Sequence, residues 1–84
     1  MPLVTLNFWA GARAAAGRAS EAVEAGSVAE ALALVLEGHA DARFTRVVRA
    51  SSLLVDGVAA SASSLERPLE APTTVEVLPP FAGG

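Results

Sequence analysis

Ser27-Val28-Ala29-Glu30-Ala31-Leu32-Ala33-Leu34-Val35-Leu36-Glu37-Gly38 is the stretch on which the fold turns. Val28, Ala31, Leu32, Val35 and Leu36 recur at i, i+3, i+4, i+7 and i+8, the stripe of a helix with one face to bury. Ser27 and Glu30 have the spacing of a capping box, in which each side chain satisfies an orphan backbone N–H. Gly38 stands where a helix C-cap is expected. A lone amphipathic helix needs a sheet to cover it, and the flanking sequence supplies strands.

Upstream, Leu3 to Trp9 alternates as a strand, with Val4, Leu6 and Phe8 on one face and Thr5, Asn7 and Trp9 on the other. Gly11 to Gly17 reads as a turn or short loop. Arg18 to Glu24 reads as a second strand, with Ala19, Glu21 and Val23 on one face, and a hairpin joins the two. Downstream, Phe44, Val47 and Val48 fit a short helical turn within the ambiguous stretch His39 to Ala50. Ser52 to Val55 reads as a strand ending in an Asp56-Gly57 turn, with a short return through Val58. Ala59 to Ser64 reads as a loop, and Leu65 to Pro72 as irregular chain broken by Pro68 and Pro72. Thr73 to Leu78 closes the order as a strand, Val75 and Val77 inward, Glu76 and Leu78 outward. The expectation is an α+β fold: a mixed sheet of four to five strands packed on one main helix. The first strand is central and pairs with the last. Val4, Leu6, Phe8, Val75 and Val77 would then pack against Val28, Leu32, Val35 and Leu36. Residues 1–78 make the domain, and residues 79–84 an extended C-terminal tail.

That tail, Pro79-Pro80-Phe81-Ala82-Gly83-Gly84, follows the closing strand directly. The prolines favour an extended path that stands off the body. A terminal carboxylate at Gly84 would be ionised at neutral pH, and two residues without side chains let an enzyme close around it. Phe81 is read either as an anchor for a partner's pocket or as a ring folded onto its own sheet.

Composition narrows the classes. At 84 residues the chain is one small domain without cysteine, so it has no disulfide staple and no thiol chemistry, which points to a reducing compartment. Apolar residues reach 52%, much of it alanine, but no apolar run approaches the ~20 residues of a bilayer span, and Met1 to Asn7 does not read as a signal peptide. A net charge of −3 without a basic cluster argues against nucleic acid. The basic residues are all arginine; with no lysine the chain cannot form a Schiff base or accept a modifier through a lysine amine. Gly11 to Gly17 does not make a phosphate loop, because Ala16 and Arg18 stand where that motif needs other residues. The single His39 suits a helix C-terminus better than a metal, and Asp41, Glu66 and Glu70 have no paired spacing for acid–base work or metal binding.

Three stretches together resemble the MoaD/ThiS family of ubiquitin-like sulfur carriers, most closely the small subunit of molybdopterin synthase. Phe8 to Gly17 is similar to the family's aromatic-Ala-x-x-Arg-x-x-x-Gly segment, through Trp9, Ala10, Arg13 and Gly17. Ser27 to Leu32 looks like the start of its helix, and Val75 to Gly84 like its closing strand and Pro-Pro-x-x-Gly-Gly tail. The chain departs from the family at Ala14, at Asp56 and at Ala71-Pro72-Thr73, none of them in the tail. The resemblance implies a β-grasp fold and a cytoplasmic carrier that is not catalytic alone and binds no cofactor. It implies a ubiquitin-activating-like adenylyltransferase that uses ATP to adenylate Gly84, after which sulfur replaces AMP to leave a thiocarboxylate. It implies a hetero-oligomer with the large synthase subunit, no nucleic acid and no membrane, with Leu78, Pro79, Pro80, Phe81, Ala82, Gly83 and Arg13 meeting partners. The alternatives are a carrier for thiamine, cysteine or tRNA thiolation, a protein modifier, or a non-covalent β-grasp interaction module.

Overall fold

Alternating apolar residues do build the strands, and the computed structural model, described here for residues 1–80, joins them into one mixed sheet. The elements run β1 (Leu3–Phe8), α1 (Ala10–Ala16), β2 (Ser20–Glu24), α2 (Val28–His39), α3 (Ala42–Ala50), β3 (Ser52–Val55), β4 (Val58–Ala59), α4 (Ala62–Leu65) and β5 (Thr73–Leu78). The strand order is β2-β1-β5-β3-β4. β1 and β5 pair in parallel at the centre, Leu6 opposite Val75 and Phe8 opposite Val77; the other pairings are antiparallel. The first strand therefore meets the last, in a β-grasp.

Period-two alternation puts Val4, Leu6, Phe8, Val75 and Val77 on one face, all buried against Val28, Ala31 and Val35 of α2. Each such side chain contributes about 1.5–3 kcal/mol. Phe44 of α3 completes this core, its ring edge-on to Phe8 with centroids 5.4 Å apart.

Three helices stand where loops or a single turn were expected. In place of a turn or loop from Gly11 to Gly17 the chain forms helix α1, Ala10–Ala16. Its alanines are the strongest helix formers, Ala12 is fully buried, and Gly17 ends the helix in the left-handed region at φ 77°. The ambiguous stretch after His39 is a nine-residue helix whose N-cap is Asp41, accepting from the N–H groups of Arg43 and Phe44. Ala62 to Leu65 is a single turn, closed by a reciprocal Ser61–Ser64 capping box. The main helix also runs past Gly38: His39 is helical, and Ala40 is the left-handed C-cap at φ 50°. At its start Ser27 caps Glu30 as expected, but the Glu30 carboxylate accepts from Gly26 N–H rather than from Ser27. The Asp56-Gly57 turn is formed, both residues at positive φ.

Candidate functional site

Strand polarity gathers the candidate site at one end of the sheet. β1 and β5 finish there together, while β2 begins opposite Asn7 and β3 opposite Leu78. The connections at that end are α1 with residues 17–19 and the C-terminal half of α3. The tail leaves from the same end, from the central strand.

Of the sequence-predicted site residues, Leu78 is half-buried at the end of β5, Pro79 is buried and Pro80 is exposed. The two prolines share an apolar groove of about 330 Å³ with Gly11, Arg46, Val47 and Ala50. Arg13 lies exposed in the last turn of α1, facing an open depression that it shares with Arg18. Phe81, Ala82, Gly83 and Gly84 lie outside the described residues.

The root of the tail is held by an arrangement that needs strand register to be seen. Asn7 and Glu76 are direct partners across β1 and β5. The Asn7 amide donates to Glu76 Oε2 at 2.9 Å, and the Trp9 indole N–H donates to Oε1 at 2.7 Å. Both oxygens of one carboxylate are thus engaged by charge-assisted hydrogen bonds. The Trp9 backbone N–H also donates to the Val77 carbonyl. Trp9 is 47% exposed, so a large aromatic surface is fixed in place beside the emerging tail. Sequence reasoning put Asn7, Trp9 and Glu76 on outward faces but did not join them. It did not assign Arg46, Val47 or Ala50 of α3 to the site, reading Val47 only as part of a helical turn over the core.

His39 does not act as a free C-terminal charge. Its Nε2 meets the Glu21 carboxylate, and its ring stacks on Phe44 with centroids 4.1 Å apart. Glu21 lies opposite Leu6 on the helix-covered side of β2, where a carboxylate needs such a partner. Among the described residues no group of three or more side chains is arranged to hold a metal ion, and no helix is long and apolar enough to cross a membrane. The site therefore offers a fixed aromatic, an apolar groove and arginines; within the described residues the tail does not stand off the body as expected, because Pro79 is buried in that groove.

Solved structures share this fold. The chain is similar to small archaeal modifier protein 1 from Haloferax volcanii, at 23% identity and a TM-score of 0.78, over 98% of this chain and 99% of that one. It is similar to small archaeal modifier protein 1 from Methanosarcina acetivorans, at 20% identity and a TM-score of 0.81, over 100% of this chain and 98% of that one. It is also similar to a chain of the complex of subunits 1 and 2 of molybdopterin-converting factor from Helicobacter pylori, at 17% identity and a TM-score of 0.70, over 98% of this chain and 99% of that one. These likenesses establish the ubiquitin-like β-grasp fold along essentially the whole chain, the fold that the three motif stretches imply. No family model and no curated protein matches the sequence.

Proposed function

We propose that the chain is a ubiquitin-like sulfur carrier whose Gly84 carboxylate is the reacting group, and that it serves as the small subunit of a molybdopterin synthase. The observation that carries this reading is the run Pro79-Pro80-Phe81-Ala82-Gly83-Gly84 issuing from the central strand of a β-grasp sheet. The similar chain from Helicobacter pylori, in complex with a second subunit of molybdopterin-converting factor, supports a large-subunit partner.

The chemistry stems from the weakness of a carboxylate as an electrophile. A Gly84 oxygen attacks the α-phosphorus of ATP and pyrophosphate leaves, giving an acyl-adenylate. A sulfide-level donor then attacks the acyl carbon and AMP leaves, giving the thiocarboxylate. Charge developing at phosphorus is stabilised by the adenylyltransferase, since the described residues include no phosphate cradle. The thiocarboxylate is a soft nucleophile, and its tether gives it a high effective concentration in the synthase, where a pterin precursor receives the sulfur to build a dithiolene.

The names of the archaeal neighbours favour a second reading, in which a lysine amine of a target captures the same acyl-adenylate. Because the chain has no lysine, that target is another protein. One assay separates the two. The purified chain is incubated with ATP, sulfide and the activating enzyme of its own cells, and the intact mass is measured. Exchange of one oxygen for sulfur is expected, and one residue added after Gly84 should abolish it without unfolding the domain. An unchanged mass contradicts the proposal; isopeptide adducts through Gly84 favour the modifier.

A further inference from the structure

Five of the six arginines lie on α1, the turn after it and α3: Arg13, Arg18, Arg43, Arg46 and Arg49. All five are exposed, and the ion pair found among the described residues joins His39 to Glu21, leaving these guanidiniums free there. Arg46 borders the groove that holds Pro79 and Pro80, and Arg13 and Arg18 border the depression beside α1. Arg49 lies in the last turn of α3, just before β3 begins opposite Leu78, and Arg43 lies one turn before Arg46.

Five of the nine carboxylates lie away from the tail. Glu24 ends β2 opposite Leu3, and Asp56 meets the start of β5 through Thr74 N–H. Glu30 and Glu70 lie near Gly26, whose N–H donates to Glu30 and whose carbonyl accepts from Leu69 at 2.8 Å, and Glu66 is exposed at the end of α4. Toward the tail, Glu76 is engaged by Asn7 and Trp9, Glu21 by His39, and Asp41 by the start of α3; Glu37 is exposed on α2. A chain of net charge −3 thus presents five of its six arginines around the root of the tail, where Glu37 is the exposed carboxylate without a described partner.

We propose that the α1–α3 face around Pro79-Pro80 docks a partner protein whose tail-receiving surface has an apolar side chain bordered by carboxylates. Val47, Ala50 and the prolines form an apolar centre, and the arginines form a charged rim, the anatomy of a protein interface. Guanidinium forks pair with carboxylates in two-point fashion, and complementary rims speed encounter. A nucleic acid is disfavoured because the whole chain is anionic and would be repelled at long range. The docking surface rests on the reading in which another protein acts on the tail.

The test follows backbone amides of the full ¹⁵N-labelled chain during titration with a short peptide of Glu and Asp around one central Leu, and separately with a DNA duplex. Shifts are expected to concentrate in residues 10–19 and 42–51. Arg46→Glu and Arg49→Glu should each weaken peptide binding about threefold or more, while Arg67→Glu at the acidic end changes it less than about twofold. If either reversal loses the native spectrum, Arg46→Gln and Arg49→Gln carry the same expectation with a smaller loss. Shifts spread over the whole surface, an equal loss in Arg67→Glu, or tighter binding of the duplex to the same amides would overturn the docking surface. Thiocarboxylation reports separately: mass exchange without localised peptide binding rejects this surface alone, and localised binding without exchange rejects the sulfur-carrier reading alone.

Discussion

Glu76 ties the tail-bearing strand to its neighbour. Its carboxylate accepts from Asn7 and Trp9 at once, and both donors lose their acceptor in Glu76→Ala. The site is partly solvated, so the expected loss is about 1 kcal/mol, read from urea unfolding. Trp9 is the single tryptophan, and its emission in the native variant should move to longer wavelength as the indole is released. The outward direction of Asn7, Trp9 and Glu76 was legible because alternation fixes which face a strand residue takes. Their contact was not, because the pairs Asn7–Glu76 and Trp9–Glu76 lie 69 and 67 residues apart and depend on β1 pairing with β5 in one register. The same holds for His39 and Glu21, which meet only when α2 packs across β2.

Among the elements, α2 was legible because five apolar residues repeat at helical spacing. Its end was not, since Gly38 carries a C-cap signal while the helix continues to His39. A Cβ added at Gly38 meets nothing within 4 Å, so Gly38→Ala should stabilise the domain by about 0.5–1 kcal/mol, seen as a raised thermal midpoint. Ala40, left-handed at φ 50°, is the position suited to glycine, and Ala40→Gly should also raise the midpoint, by less, because glycine loosens the unfolded chain. α1 was missed because it is short, carries Gly11 in its first turn and Gly17 at its end, and is built from alanines that carry no apolar stripe. α3 was reduced to a turn because its three arginines interrupt the apolar pattern and because Asp41, its N-cap, was weighed only as a lone carboxylate.

At the scale of the whole molecule, the sheet and the helices that cover it converge on Phe44, whose ring packs with those of Phe8 and His39. Phe44→Ala should cost about 3–5 kcal/mol. Total stability for a domain this small is about 4–13 kcal/mol, so the variant should unfold at far lower urea or be partly unfolded in buffer. The sheet order was legible in outline, since a first strand central and paired to the last explains where the tail emerges. The arginine face was not, because its members are scattered in sequence and gather only through strand polarity. In the proposed reading the body is a handle that aims its central strand at a partner. The most direct test is intact-mass spectrometry of the protein purified with its partners from its native cells. The account predicts a population in which one oxygen of the Gly84 carboxylate is replaced by sulfur. A protein that carries only the plain carboxylate, even when bound to a working synthase, would contradict it.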